Sequence, residues 1–186
     1  MTKIDIFSGF LGAGKTTLIK KLMEEAYSDE KLVDTYSKHL ATLRGTIMHD
    51  FAAQCIRLGQ KLPKSKKTLN MYVNDAIGYK MIPEQILMYS ENCFGNADTI
   101  KFKDGFLRIH DYKSGETKAS MKQLWVYVAL FCLEYKVKPG DIEIECRLYQ
   151  YDDYEVSNPT AEDILPIMDK IVRFDKIIRK IKEQEG

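Results

Sequence analysis

The chain has no Cys-x-x-Cys pair. Its four cysteines, Cys55, Cys93, Cys132 and Cys146, stand far apart, which argues against zinc or an iron–sulfur cluster. Cys132 falls in an apolar helical pattern and Cys93 beside a strand, so buried free thiols in a reducing cytoplasm are expected. Charge of one sign is also lacking. The formal net charge is +1, so the strongly basic footprint of tight, sequence-independent nucleic-acid binding is missing, although a local basic groove remains compatible with it. The longest apolar run, Leu124 to Leu133, is too short to span a bilayer. Glycines break the N-terminal pattern at once, unlike a secretory leader. A cytoplasmic protein without a membrane partner is the expectation. Repeats and low-complexity segments are absent as well.

What is present suits a globular enzyme. The 186 residues are 45% hydrophobic and 30% charged, enough for one domain with a sizeable core. Lys3 to Phe7 has strand character and Lys15 to Ala26 reads as a helix. Ser28-Asp29 opens a helical stretch to Gly59, interrupted by Gly45, in which Ile47, Phe51, Cys55 and Leu58 form one apolar face. Thr68 to Met81 reads as a helix closed by Pro83. Strand patterns follow at Gln85–Ser90, Ala97–Phe102 and Phe106–Tyr112, with Lys103-Asp104-Gly105 as a hairpin turn. Ser120 to Tyr135 is an apolar helix, Ile142 to Tyr151 an alternating strand, and a last helix runs from near Asp163 to about Lys182, Pro166 lying near its start. This order predicts an α/β (α+β) fold, a small mixed β-sheet flanked by helices.

Three motifs carry chemistry. Gly95-Asn96-Ala97-Asp98 and His110-Asp111-Tyr112-Lys113-Ser114-Gly115 put two carboxylates and a lysine on strands joined by a tight turn. Neighbouring strands lie about 4.8 Å apart, so Asp98 and Asp111 can reach one divalent ion. Lys113, two residues after Asp111, shares its face, where an ammonium orients water or stabilises charge developing on a phosphate. Gln123 and Tyr127 are four apart on a helix and project together, toward a phosphate or toward Lys113. His49 on an earlier helix is a candidate further ligand. Each residue alone is more often structural: strand-end acids, a lysine paired with its neighbour, a helix flank, a satisfied histidine. Lys61, Lys64, Lys66 and Lys67 form a basic cluster that reads first as a solvated loop and second as a phosphate-contacting edge.

The ordered set Gly45-Thr46-x-x-His49, Pro83-Glu84-Gln85, Gly95-x-x-Asp98, His110-Asp111-Tyr112-Lys113-Ser114-Gly115 and Gln123-x-x-x-Tyr127 resembles the PD-(D/E)XK nuclease superfamily. It is most similar to the RecB-type exonucleases of phages and prophages, over about residues 40 to 180. The resemblance implies an αβββαβ restriction-endonuclease-like core acting on DNA with Mg²⁺ or Mn²⁺. It implies that Asp98, Asp111 and His49 hold metal, that Lys113 is catalytic, that Gln123 and Tyr127 support it, and that Glu84 is an additional acid. His110 departs from the apolar residue usual before the second acid. Some relatives hold an iron–sulfur cluster on four cysteines; the spacing here differs, so none is expected. Phage recombination or replication proteins would be partners, and an oligomer is compatible with the length.

A second signal competes. Gly9-Phe10-Leu11-Gly12-Ala13-Gly14-Lys15-Thr16 is a complete phosphate-binding loop, in which backbone amides cradle phosphates, Lys15 reaches the terminal ones and Thr16 binds Mg²⁺. Residues 2 to 27 resemble metal-chaperone GTPases related to cobalamin-synthesis protein W. The later strands alternate instead of running apolar. A convincing second magnesium motif, the Asn-Lys-x-Asp guanine motif and that family's cysteine motif are all missing. Residues 1–27 therefore read as a graft on a nuclease domain over 28–186. The alternatives are an NTPase or GTP-binding fragment, or a non-catalytic DNA-end-binding recombination protein.

Overall fold

A computed structural model of the chain describes residues 29–115 and 117–185. The strand expected at Lys3–Phe7, the phosphate loop and the helix expected at Lys15–Ala26 lie outside the described residues. The compact unit that carries the sheet is Gly45–Gly186, and residues 29–44 belong to a separate unit.

In chain order the elements are α1 (Asp29–Leu58), α2 (Thr68–Gly78), β1 (Ile82–Ser90), β2 (Cys93–Lys103), β3 (Phe106–Tyr112), α3 (Lys122–Tyr135), a short 3₁₀ turn (Pro139–Asp141), β4 (Glu143–Gln150), β5 (Asp153–Ser157) and α4 (Ala161–Glu185). The strands form one five-stranded sheet in the order β1-β2-β3-β4-β5. β1, β2 and β3 pair antiparallel, β3 and β4 pair parallel, and β5 returns antiparallel on β4. A parallel pair needs a long crossover, and α3 supplies it. The mixed α/β architecture agrees with the sequence expectation.

Two apolar layers sandwich the sheet. Leu107, Ile109, Ile144, Cys146 and Leu148 pack with Leu124, Val128 and Phe131 of α3 and Ile164 of α4. Tyr112 and Tyr149 pack with Ala52, Cys55 and Ile56 of α1 and Tyr72, Val73 and Ala76 of α2. Leu148 and Tyr149 are consecutive, so the two clusters occupy opposite faces of the sheet.

Several sequence expectations need correction. Gly45 does not interrupt α1, which is continuous; one glycine costs about 1 kcal/mol in a helix, which thirty residues absorb. The buried face of α1 is Ala52, Cys55 and Ile56, while Ile47, Phe51 and Leu58 are exposed. Small alanines let the helix approach the tyrosine cluster, and size outweighs hydrophobicity there. α2 stops at Gly78, with Lys80 left-handed behind it. Pro83 lies inside β1, an edge strand that tolerates it. α4 starts at Ala161 because Asp163 accepts from the backbone N–H of Thr160 (2.8 Å) and from its hydroxyl (3.0 Å). That N-terminal hydrogen-bonding pair outweighs the proline signal, and Pro166 falls inside the helix. β5 has no counterpart in the sequence reading. Its turn, Tyr151-Asp152, lacks the glycine or asparagine that marks a hairpin.

Candidate active site

The β2–β3 hairpin sets the positions of the two acids. Thr99 pairs with His110 in the regular ladder, and Asp98 and Asp111 follow immediately beyond that pair. There the ladder gives way to a side-chain bond: the backbone N–H of Tyr112 donates to Asp98 Oδ2 at 2.9 Å. Asp111 is 1% exposed. Lys113 Nζ stands 2.9 Å from Asp111 Oδ2 and donates to Oδ1 at 3.2 Å. The approach to Oδ2 is poorly aligned, so this buried oxygen has no proper hydrogen-bond partner.

His49 enters from α1. Its Nδ1 is 3.3 Å from Asp98 Oδ2, and its ring lies 5.2 Å from that of Tyr112. His49 thus meets the site through Asp98. Gly45, one turn earlier, faces the loop after Lys113, where an added Cβ would sit 3.4 Å from Ser114 Oγ. Glu84 of β1 lies between the pairs Pro83–Thr99 and Gln85–Ala97, opposite Asp98. Its φ of 57° is left-handed, a strained setting for glutamate. Its charge reaches both Asp98 and His49.

The helix motif arrives from the α3 face. Gln123 Nε2 donates to Tyr127 Oη at 2.8 Å. Tyr127 senses the charges of Asp111, Asp98 and Lys113, so Gln123 connects to the site through the tyrosine. Gly95 makes this possible. A Cβ there would lie 2.9 Å from Tyr127 Cε1, closer than packed carbons approach, so any side chain would push the ring away.

The electrostatics are unbalanced toward negative charge. Burial pushes the Asp98 carboxyl up to about 6, against the pull of the Tyr112 amide and Lys113. Burial, and then the charge of Asp98, pushes Asp111 up to about 6 as well. Burial lowers Lys113, but Asp111 and Asp98 outweigh it and hold the ammonium charged. Burial also lowers His49, keeping the imidazole neutral. The buried Asp111 and the half-buried Asp98 have one lysine to offset them and are short of positive charge.

Hard carboxylate oxygens suit Mg²⁺ or Mn²⁺, and Asp111 Oδ2, which has an ion pair with Lys113 but no hydrogen bond, is an available ligand atom. Among the described residues, no group of three or more His, Cys, Asp or Glu side chains is already placed to hold a metal ion. The donor chemistry fits such an ion, and its coordination would be completed by water and substrate. All four cysteines are free: Cys55, Cys132 and Cys146 are buried and Cys93 is partly so. No helix among the described residues is long and apolar enough to cross a membrane.

A second polar cluster, which sequence reasoning missed, lies on the α2 face of the sheet. Arg108 Nε pairs with Glu145 Oε1 at 2.6 Å and Arg147 Nε with the same oxygen at 2.9 Å. Arg147 also reaches Asp75 Oδ2 at 3.4 Å, and Tyr149 Oη donates to that oxygen at 2.7 Å. His110 is fully buried here, its Nδ1 3.4 Å from Tyr149 Oη. The alternation of β3 and β4 was the available signal, since it places Arg108, His110, Glu145 and Arg147 on one face.

Residues 3–33 match the family model described as CobW/HypB/UreG, nucleotide-binding domain. The match includes Gly9, Gly14, Lys15 and Thr16, and stops short of every residue of the Asp98–Asp111 site. No curated protein and no solved structure matches the chain. The nuclease resemblance rests on its motifs and their arrangement, and these comparisons add nothing to it.

Proposed function

We propose that the sheet-bearing unit is a metal-dependent DNA nuclease, an exonuclease of the PD-(D/E)XK kind, working in the cytoplasm beside phage recombination or replication proteins. The observation that carries this reading is the buried carboxylate of Asp111 beside the half-buried one of Asp98, with Lys113 Nζ 2.9 Å from Asp111. Asp98 and Asp111, with His49 beside Asp98, are the residues that would hold Mg²⁺ or Mn²⁺. When bound, such an ion neutralises phosphate charge and lowers the pKa of a coordinated water. Lys113 would orient the attacking water and stabilise charge developing on the phosphate. Tyr127, bonded to Gln123, lies within the electrostatic reach of that ammonium. Glu84 is a further acid within electrostatic reach.

The test is degradation of linear DNA with Mg²⁺ or Mn²⁺ and its arrest by EDTA. Asp111→Asn and Lys113→Ala should each reduce cleavage by about a hundredfold or more, since each removes a group acting on the transition state, with the far-ultraviolet circular dichroism unchanged. Cleavage that survives in both variants belongs to another site or a contaminant.

The match of residues 3–33 supports a second reading, a nucleotide-binding segment joined to this unit. Calorimetry with GTP or ATP and Mg²⁺ decides it. Micromolar binding lost in Lys15→Ala would make the nucleotide reading primary. Weak or absent binding, with DNA cleavage unchanged on deletion of residues 1–27, would leave the nuclease reading standing.

A further inference from the structure

A concave pocket of about 460 Å³ is walled by Lys113, the lysine paired with Asp111, together with Met48, Lys67, Tyr112, Tyr151 and Asp152. The way Tyr151 is held there is unusual. Tyr151 and Asp152 form the two-residue turn between β4 and β5, with φ values of 57° and 55°. A turn with both central residues left-handed strongly prefers Asn-Gly or Asp-Gly. A tyrosine in that conformation is strained by the closeness of its Cβ to the following carbonyl.

Bonds from another element hold the turn. Asp152 N–H donates to Thr68 Oγ1 at 2.7 Å, and Thr68 N–H donates to Asp152 Oδ1 at 2.9 Å. The Thr68 amide and hydroxyl hold the Asp152 carboxyl below its usual range. This carboxylate is therefore committed to the first turn of α2. Asparagine or glycine at position 151 would close the same hairpin with less strain. Tyrosine brings an aromatic side chain to the pocket that Lys113 also lines, the residue being 57% exposed. Met48 presents a second exposed apolar side chain on that pocket, and Lys67 an exposed ammonium. Lys61, Lys64 and Lys66 continue along the adjoining loop, all exposed.

We infer that this pocket receives the unpaired end of a DNA strand, with one base stacked on Tyr151 and the backbone phosphates on Lys67 and Lys113. An exposed aromatic ring beside spaced ammonium groups suits single-stranded rather than double-stranded DNA. A base can lie on the ring only once it has left the helical stack, and stacking tolerates any sequence. The near-neutral net charge of +1 agrees with a short contact of a few phosphates, not a long duplex track. The inference deepens the nuclease reading and rests on it for what happens at Asp111. The binding step itself requires no metal.

The experiment uses the full chain in EDTA, where cleavage is stopped. A short single-stranded oligonucleotide carries 2-aminopurine near one end, and a blunt duplex of the same sequence serves as the comparison. Binding is followed by anisotropy and stacking by quenching of the 2-aminopurine. Wild type and Tyr151→Phe should bind the single strand and quench. Tyr151→Ala and Tyr151→Asn should lose the quenching and bind about tenfold more weakly. Asparagine suits the left-handed turn, so the Tyr151→Asn variant should fold at least as stably as wild type. Lys67→Ala should reduce the salt slope of binding by about 0.7. Unchanged quenching in Tyr151→Asn, or equal preference for the duplex, overturns the inference. Metal-dependent cleavage separates the two claims. Binding that follows Tyr151 without any cleavage would sink the nuclease reading and keep the pocket. Cleavage that needs Asp111 but ignores Tyr151 in both binding and rate would do the reverse.

Discussion

Two polar clusters lie on opposite faces of β3, and they differ in how their charge is settled. On the α2 face, Arg108 and Arg147 meet Glu145 and Asp75, two cations against two anions. Glu145 is held far below its usual range by His110, Arg147 and Arg108. The guanidinium pairs at 2.6 and 2.9 Å dominate, because His110 Nε2 stands 4.0 Å away. On the other face, Asp98 and Asp111 share one lysine and a neutral imidazole, and both carboxyls are pushed up instead of down. The first cluster closes its own charge account and reads as structure. The second leaves negative charge unsettled around the buried Asp111, an arrangement that recurs at functional sites. Adjacent residues of one strand, His110 and Asp111, thus stand in differently balanced surroundings.

The largest expected loss comes from breaking the balanced cluster. Glu145→Ala leaves two partly buried guanidinium groups without their shared partner, Arg147 keeping Asp75, and should cost about 2 kcal/mol of stability in urea unfolding. Cleavage per folded molecule should remain near wild type. Loss of cleavage at unchanged stability would place Glu145 in the active machinery and undo the contrast. The opposite sign is expected across the strand. Because the Asp111 carboxyl is raised to about 6, folding is favoured while it is protonated. That contribution fades as pH rises from about 4 through about 6. Asp111→Asn should therefore stabilise the metal-free protein by about 2 kcal/mol near pH 7.5, with no gain below about pH 4. A variant less stable than wild type near neutral pH would make the Asp111–Lys113 pair a structural salt bridge.

The contrast explains what the sequence could and could not reveal. The nearness of Asp98 to Asp111 is legible because a short hairpin fixes the register of β2 on β3. The association of Gln123 with Tyr127 follows from helical spacing alone. The need for Gly95 is a contact between β2 and α3, invisible without the packing of Tyr127. The balanced cluster joins Asp75 of α2 to Arg147 and Tyr149 of β4, residues more than seventy positions apart. Periodicity gives a face but not which helix covers it. The Tyr151-Asp152 turn is hidden because its conformation is imposed by Thr68 rather than by local preference. The misplaced face of α1 has the same origin, since tertiary packing chose Ala52 over Phe51.

Smaller substitutions sharpen the comparison. Tyr149→Phe removes the 2.7 Å hydrogen bond to Asp75 and leaves the ring packed. It should cost about 1 kcal/mol, with cleavage unaffected, because this hydroxyl belongs to the balanced side. A loss of cleavage larger than the loss of folded protein would mean that the two faces communicate through β3 and β4.

The smallest stability effect is expected at Gln123. Its bond to Tyr127 Oη is exposed to water, so Gln123→Ala should change stability by less than about 0.5 kcal/mol. Its effect on chemistry should be larger than that. Tyr127 lies within the electrostatic field of Asp111, Asp98 and Lys113, and Gln123 holds its hydroxyl in place. Freed from that bond, the hydroxyl can rotate toward the lysine and disturb the position from which Lys113 would act. Cleavage of linear DNA should slow about tenfold, as expected when a positioning contact to a reacting group is loosened. Gln123→Glu should restore part of the rate, since its carboxylate can accept from Tyr127 Oη, the reverse of the native bond. Equal rates in wild type and Gln123→Ala would reduce Gln123 and Tyr127 to an ordinary helix flank, and the unbalanced cluster would then consist of Asp98, Asp111, Lys113 and His49 alone.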